Sequence, residues 1–316
     1  SLGEVETTVD RAADIASFYA SLLNDIPYPS LTVTLTDSRL PGGHSPAYFA
    51  MLNHELPRQP GLVVSWRTDP VSFSKYPDFF LAHEIAHQWW GQAIGRKNYH
   101  EQWLSEGLAQ YFAALYAERD GGPEVFRDIL RQMRQWAMRH SDEGPVYLGY
   151  RLGHLKDEPR VFRALVYNKG AVVLHMLRGL IGDEAFFSGL RRFYHQWRFQ
   201  KAGTDDLQLA FELASGQSLA RFFDRWIHES TLPELRFSSR IQTVSENEEI
   251  ILRFEQQTQQ VFDLPVTVDL QYRSRPDESI VVPVTERVTE VSIPLRGRLR
   301  RTRVDSDKLA LAKIDQ

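Results

Sequence analysis

The chain has 316 residues, of which 42% are hydrophobic and 25% are charged, a composition ordinary for a globular protein with a substantial core. The formal net charge of -4 gives no strong attraction to nucleic acid. The sequence has no cysteine, which excludes thiol catalysis, thiolate metal ligands and disulfides but leaves the cellular compartment open.

Neither a membrane span nor a signal peptide is visible. No run of about 18 uninterrupted apolar residues occurs, so we expect no spanning helix. The chain begins with Ser1 and lacks the basic and apolar start of a secretory signal. The location therefore stays unknown, with export or a periplasmic location open for a longer parent chain.

The first 70 residues predict a helix and a small sheet. Apolar residues recur at helical spacing over residues 7–24, and residues 31–36 alternate like a strand. Further strand candidates lie at residues 47–52 and 62–66. Gly42 and Gly43 allow two interpretations: a sheet edge along which an extended peptide docks, or an ordinary Pro-Gly-Gly loop.

Residues 83–87 read HEIAH and are the most informative stretch of the chain. Residues four apart share one face of a helix, so His83 and His87 can point two imidazoles at one cation. This spacing is typical of zinc metalloproteases. Glu84 lies about 100° round the helix and is therefore not expected to be a ligand. It is placed to take a proton from an attacking water.

Glu106 is the predicted third ligand, although it comes 19 residues after His87. On one unbroken helix it would lie about 28 Å away, so the chain must turn back. Gly91, Gly95 and the polar run at 96–98 predict that turn, and a second helix is expected from about 101 to 119. Two histidines and a carboxylate leave a fourth position open, as in catalytic zinc sites.

The rest of the chain divides into helices and then strands. Helices are expected at 123–140, 159–181, 183–199, 204–214 and 218–229. A loop at 144–154 contains Tyr147, Tyr150 and His154, which either border the cleft or only pack within the loop. After Pro233, short alternating runs predict a small β-sandwich, with strands at 235–237, 250–254, 266–270, 280–282 and 291–293. Five arginines between residues 296 and 303 are interpreted as a solvated strand face.

Three motifs together resemble the M1 aminopeptidases, a family of the gluzincin branch of zinc peptidases. They are HEIAHQWWG at 83–91, WLSEGLA at 103–109, and VYNKGA at 166–171. Ser105 stands where that family usually has Asn. The resemblance implies that Tyr167 stabilises the tetrahedral intermediate, and a phenol O–H aimed at a developing oxyanion has that effect. It also implies a thermolysin-like catalytic domain and a β-rich domain ahead of it, absent here, so we expect this chain to be a fragment.

One expected motif is missing. M1 aminopeptidases carry a Gly-x-Met-Glu-Asn segment upstream, whose Glu binds the free amino group of the substrate. Neither residues 40–52 nor residues 55–61, where Arg58 stands in place of Glu, preserves it. A buried ammonium without a carboxylate partner is unfavourable, so recognition of a free amine does not follow from the resemblance.

We therefore predict an α+β protein with a thermolysin-like catalytic domain at residues 1–232 and a β-sandwich domain at 233–316. Its predicted function is zinc-dependent hydrolysis of peptide substrates, with aminopeptidase the favoured subtype. His83, His87 and Glu106 hold one zinc ion, and Glu84 and Tyr167 are catalytic. The alternatives are an endopeptidase, another gluzincin hydrolase without free-amine recognition, or a peptide-binding protein without turnover.

Overall fold

A computed structural model describes residues 2–36, 43–53, 69–149, 151, 158–244 and 247–316. Its N-terminal part contains helix α1 (Leu2–Leu23) and strands β1 (Thr32–Thr36), β2 (Gly43–His44) and β3 (Phe49–Asn53). β1 pairs in parallel with β3, and β2 pairs antiparallel with β3, so β2 lies at an edge of the sheet.

The small predicted sheet is thus confirmed for the strands near 31–36 and 47–52. The candidate strand at 62–66 lies outside the described residues. Gly43 begins a strand, which favours the sheet-edge interpretation over the loop, whereas Gly42 lies outside the described part. Helix α1 starts before residue 7 and so is longer than its apolar periodicity predicted.

Helix α2 (Phe79–Ala86) carries the HEIAH motif and is the most apolar of the early helices, with every residue except Phe80 buried. His87 follows its last residue but keeps helical angles, with φ -61° and ψ -19°, so the four-residue spacing still places both imidazoles on one face. Tyr19 of α1 donates a hydrogen bond to the carbonyl of Ala82 over 3.0 Å, which fixes α1 against α2.

The chain turns back after α2, as the distance argument for Glu106 required. Residues 91–93 form a turn, but the predicted turn at 95–98 is wrong in part, because Ile94–Arg96 is strand β4. β4 pairs in parallel with β5 (Gln200–Ala202), a partner more than 100 residues away that local sequence does not reveal. A 3₁₀ turn at Tyr99–Glu101 then leads into helix α3 (Gln102–Gly121), close to the predicted 101–119.

Further α-helices follow α3 within the described ranges. Helix α4 spans Pro123–His140, and helix α5 consists of an α-helical turn at Pro159–Phe162, a π-helical segment at Arg163–Lys169 and an α-helical segment at Gly170–Ile181. Helices α6 (Asp183–Trp197), α7 (Thr204–Ser215) and α8 (Ala220–Phe223, continued by a π-helical segment at Asp224–His228) complete the set. The predicted extents agree to within a few residues, but the π-helical segments were not predicted.

After α8 the described chain contains strands and turns only. The strands are β6 (Glu234–Val244), β7 (Asn247–Gln256), β8 (Leu264–Tyr272), β9 (Glu278–Val284), β10 (Val288–Pro294), β11 (Leu299–Val304) and β12 (Lys313–Asp315). They form one sheet in the order β10-β7-β6-β12 and another in the order β11-β8-β9. β11 places several of the clustered arginines on a strand, as interpreted from the sequence, whereas β12 was not predicted.

The core unites these parts. Four tryptophans, Trp89, Trp90, Trp103 and Trp226, are among its largest fully buried side chains. Within the described ranges, no helix is both long enough and apolar enough to cross a membrane. One site receives residues from α2, α3, α5 and the β2 edge.

Candidate metal centre and active site

His83, His87 and Glu106 meet in the interior between α2 and α3. The two histidine Nε2 atoms lie 3.1 Å apart, and Glu106 Oε2 lies 3.4 Å from His83 Nε2 and 3.3 Å from His87 Nε2. These three atoms form a nearly equilateral triangle. Among the described residues, no other group of histidine and acidic side chains has ligand atoms close enough to hold a metal ion.

This triangle fits a tetrahedral zinc ion. Ligand atoms about 2.0 to 2.1 Å from a tetrahedral centre are about 3.3 to 3.4 Å apart, and the three observed separations lie at or near that value. Glu106 Oε2 is buried and has no hydrogen-bond partner within the described part of the chain, although it faces two imidazoles. The three ligand atoms converge at separations that could hold a metal ion.

His87 is held in the required tautomer by its second nitrogen. Nδ1 lies 2.9 Å from the carbonyl oxygen of Trp90 and 3.2 Å from Ser105 Oγ. Since a carbonyl can only accept, Nδ1 carries the proton and donates it, and the lone pair of Nε2 faces the cluster. Ser105 Oγ also contacts the Trp90 carbonyl over 3.2 Å, so the residue next to Glu106 supports the orientation of His87.

The electrostatics of the cluster favour charge separation when no metal is bound. Burial lowers the pKa of His87, but the carboxylates of Glu106 and Glu84 outweigh this effect and raise it to about 9. Burial acts to raise the pKa of Glu106, but the His87 and His83 imidazoles hold it well below its usual range. The Glu106 carboxylate is thus anionic at neutral pH.

The Glu84 carboxylate is not part of the triangle, as its place on the helix predicted. Its carboxylate accepts a 2.5 Å hydrogen bond from Ser45 Oγ, and both residues are buried. Gly43, in edge strand β2, lies against the same carboxylate, so closely that a Cβ there would be 2.3 Å from Glu84 Cδ. Glu84 therefore lies between the metal-ligand cluster and the edge of the N-terminal sheet.

Tyr167 lies beside the cluster. Its ring stacks on that of His83, with centroids 5.6 Å apart and planes inclined by 9°. Burial raises the pKa of its hydroxyl well above its ordinary value, and the carboxylates of Glu106 and Glu84 add to the shift. The phenol is therefore protonated at neutral pH and can act as a hydrogen-bond donor.

Two close packings bring Tyr167 to the metal ligands. A Cβ on Gly107, next to Glu106, would lie 3.3 Å from the backbone of Gly170, so the absence of side chains allows α3 and α5 to approach closely. Gln110 of α3 donates to Asn168 Oδ1 over 2.9 Å, and Asn168 donates to the carbonyl of Pro70 over 2.9 Å. These buried contacts flank Tyr167 within the π-helical segment.

The structure thus brings together all five predicted site residues. Sequence reasoning gave no role to Ser45, Ser105 or Asn168, although Ser105 and Asn168 lie within the quoted motifs. Their contacts join residues 39, 18 and 58 positions apart, which no local pattern reveals. The loop at 144–154 was expected to supply either cleft residues or only packing residues. Of these, Tyr150 and His154 lie outside the described residues. Tyr147 stacks between His100 and His228, with ring centroids 5.0 and 4.6 Å away, which matches the packing interpretation.

Two imidazoles and a carboxylate, with a further carboxylate close by, form the donor set of catalytic zinc sites that keep an open coordination position. A model of the peptidase family M1 domain matches residues 68–226, which is half of the chain. The chain belongs to this family, as the resemblance of its three motifs indicated.

Curated relatives share the same region. The chain is 30% identical over 160 residues to aminopeptidase N of Streptomyces lividans, which covers 49% of this chain and 19% of that protein. It is 28% identical over 163 residues to tricorn protease-interacting factor F2 of Thermoplasma volcanium, covering 49% of this chain and 20% of that protein. The chain thus spans about a fifth of the length of these relatives.

A solved structure with a similar fold is that of Legionella pneumophila aminopeptidase A in complex with aspartic acid. The TM-score is 0.68, over 96% of this chain and 34% of that chain, with 17% sequence identity. At this identity the likeness concerns the fold alone. It confirms the predicted α+β class.

Proposed function

We propose that this protein is a zinc metallopeptidase. The observation that carries the proposal is the triangle of His83, His87 and Glu106 ligand atoms, with sides of 3.1, 3.4 and 3.3 Å, which has Glu84 and Tyr167 beside it. Zinc held there would act as a Lewis acid on a peptide carbonyl. Membership of the M1 peptidase family supports the same conclusion.

Each neighbouring side chain has a distinct part in the proposed reaction. Glu84 accepts a proton from the attacking water and then donates it to the nitrogen of the leaving amine. The Tyr167 hydroxyl donates a hydrogen bond to the oxygen on which negative charge develops. Because the phenol is protonated at neutral pH, this donor is present without any preceding proton transfer.

The nature of the substrate terminus distinguishes two subtypes. Aminopeptidase activity is supported by the likeness to aminopeptidase N of Streptomyces lividans. An endopeptidase, or a hydrolase of substrates with a blocked amine, is supported by Ser45, because the group that reaches Glu84 from the sheet edge is a neutral hydroxyl. A neutral group compensates poorly for removing an ammonium from water.

The test compares a peptide with a free amino terminus and the same peptide after N-acetylation, using zinc-loaded protein and mass spectrometry of the products. Release of the first residue from the free peptide only would establish an aminopeptidase. Cleavage of both peptides at internal bonds would establish an endopeptidase. No cleavage by protein shown to contain zinc would contradict the proposal and favour a peptide-binding protein.

Glu84→Gln is the matched control for these assays. We expect it to retain zinc and the fold but to lose several kcal/mol of transition-state stabilisation, since an amide cannot accept the proton. The variant separates turnover at this site from cleavage by a contaminating protease. An unchanged kcat would remove Glu84 from the role of general base.

We also propose a domain division at residues 232 and 233. The described helices end at His228, and the C-terminal strands β6 to β12 begin at Glu234. The two parts remain in contact: Arg134 of α4 donates to the carbonyl oxygens of Ala310 and Ala312 over 2.6 and 3.0 Å. Limited proteolysis that cuts between residues 229 and 233 while both products stay associated would support this division.

A further inference from the structure

Ser45 is joined to Glu84 by a short and buried hydrogen bond. Its Oγ donates to Glu84 Oε2 over 2.5 Å, and each residue exposes only 5% of its surface. A serine hydroxyl has a single proton to donate, and here the acceptor is a carboxylate, which makes the bond charge-assisted. Ser45 directly follows strand β2, so the contact links the sheet edge to the HEIAH helix.

The backbone of β2 closes off the same carboxylate. A Cβ on Gly43 would lie 2.3 Å from both Cδ and Oε1 of Glu84 and 2.8 Å from Phe80 Cζ. Only hydrogen fits at this position, so the strand itself packs against the carboxylate. The terminal torsion angle χ3 of a glutamate otherwise takes a wide range of values, and these two contacts restrict it to a narrow range.

Gln88, two residues past the end of α2, fixes the backbone that follows Ser45. Its Nε2 donates to the carbonyl oxygens of Pro46 and Phe49 over 3.2 and 2.9 Å, and its Oε1 accepts from the backbone N–H of Tyr48 over 3.0 Å. The turn between β2 and β3 is therefore fixed at Ser45 by Glu84 of α2 and at residues 46–49 by Gln88. The distance from Ser45 to Glu84 is set by anchored backbone rather than by a mobile loop.

We propose that Ser45 is a positioning residue that orients the Glu84 carboxylate for proton transfer. The inference rests on the proposed peptidase function, because it concerns the same reaction. General-base catalysis requires the basic oxygen to lie within about 2.6 to 3.2 Å of the oxygen whose proton it removes. Small misplacements lower the rate strongly. Holding one carboxylate oxygen keeps the plane of the carboxylate, and hence its lone pairs, in one direction.

The first test is the pair of variants Ser45→Ala and Ser45→Thr. Ser45→Ala should lower kcat about tenfold, equivalent to about 1.4 kcal/mol, and leave KM within about twofold, since substrate contacts are unchanged. Ser45→Thr keeps the hydroxyl and should restore most of kcat. The control is Ser141→Ala, which alters a serine of 1% exposure outside the site and should leave kcat unchanged.

The second test does not depend on turnover. Urea unfolding of the metal-free wild type, Ser45→Ala, Glu84→Ala and the double variant forms a double-mutant cycle. If the two side chains are coupled, Ser45→Ala should lower the midpoint of the wild type but shift that of Glu84→Ala by less than half as much. Equal shifts in both backgrounds would show that Ser45 does not act through Glu84.

The outcomes separate the two proposals. An active wild type with an unaffected Ser45→Ala variant would overturn the role of Ser45 and leave the peptidase function intact. A wild type that contains zinc but has no turnover would reject the peptidase function and the positioning role together. A rise in KM at unchanged kcat would assign Ser45 to substrate binding instead, which also overturns the proposal.

Discussion

Lys169 carries a buried amino group next to the predicted active site. Its side chain is among the largest that are fully buried, and Nζ has no hydrogen-bond partner among the described residues. Burial lowers its pKa from 10.5 to about 8. At neutral pH the folded protein must therefore keep a charged ammonium in an apolar environment, which opposes folding.

The size of this effect follows from the pKa shift. A change from 10.5 to about 8 corresponds to about 3 kcal/mol, at about 1.4 kcal/mol for each pKa unit. Between pH 8 and 10.5 the unfolded chain holds the proton that the folded chain has lost, so stability rises with pH across this window. Below pH 8 the full penalty is present.

Lys169→Met tests this reasoning, because methionine has a similar length and no charge. An imperfect fit in the core costs up to about 1.5 kcal/mol, so we expect the variant to be more stable than wild type by about 2 kcal/mol at pH 7. This advantage should shrink by about 2 to 3 kcal/mol as the pH is raised to 10.5. Urea unfolding of both proteins at several pH values measures the difference, and other titrating groups cancel in it.

The control is Lys201→Met, which changes an exposed lysine on strand β5. Because this side chain is exposed, we expect the variant to match wild type in urea unfolding at pH 7 to within about 0.5 kcal/mol. A destabilised Lys169→Met at pH 7, or a difference that does not vary with pH, would refute the reasoning. Either result would mean that the amino group of Lys169 has a compensating partner.

Three further predictions concern the site itself. Tyr167→Phe should lower kcat about 10²-fold with little change in KM, as measured by steady-state kinetics, and an effect on KM alone would indicate a substrate contact instead. Glu106→Gln should weaken zinc binding by about 100-fold or more in competition with a chromogenic chelator, whereas unchanged affinity would exclude Glu106 as a ligand. Gly43→Ala should lower kcat about 10- to 100-fold, because a Cβ there would meet the Glu84 carboxylate at 2.3 Å. A wild-type kcat together with an unchanged near-ultraviolet circular dichroism spectrum would show that the carboxylate can move without loss of rate.

Local spacing was sufficient for part of the site. The four-residue spacing of His83 and His87 requires only a helix, and the backbone stays helical as far as His87 although α2 ends at Ala86. The distance argument for Glu106 needed one more element, a reversal of the chain, and α3 provides it. The fold class and the order of helices followed by strands were predictable for the same reason, since they depend on periodicity along the chain.

The register and curvature of distant elements were not predictable. β4 was read as part of a turn because its partner β5 lies far along the chain. The predicted helix at 159–181 has the right extent, but its π-helical segment at Arg163–Lys169, which contains Tyr167, depends on contacts with α3 and α4. Periodicity does not carry this information, because these contacts join residues that are remote in sequence.

The sequence by itself supplied the candidate site: two imidazoles and a carboxylate that could hold a metal ion, the acid beside them and the phenol. Only the tertiary structure decided how these groups are held. Ser45 reaches Glu84 across 39 residues, and Gln110 reaches Asn168 across 58, so neither contact has a local pattern. The physical reason is that a side chain's identity is set by the chain alone, whereas its orientation is set by whichever distant surface packs against it.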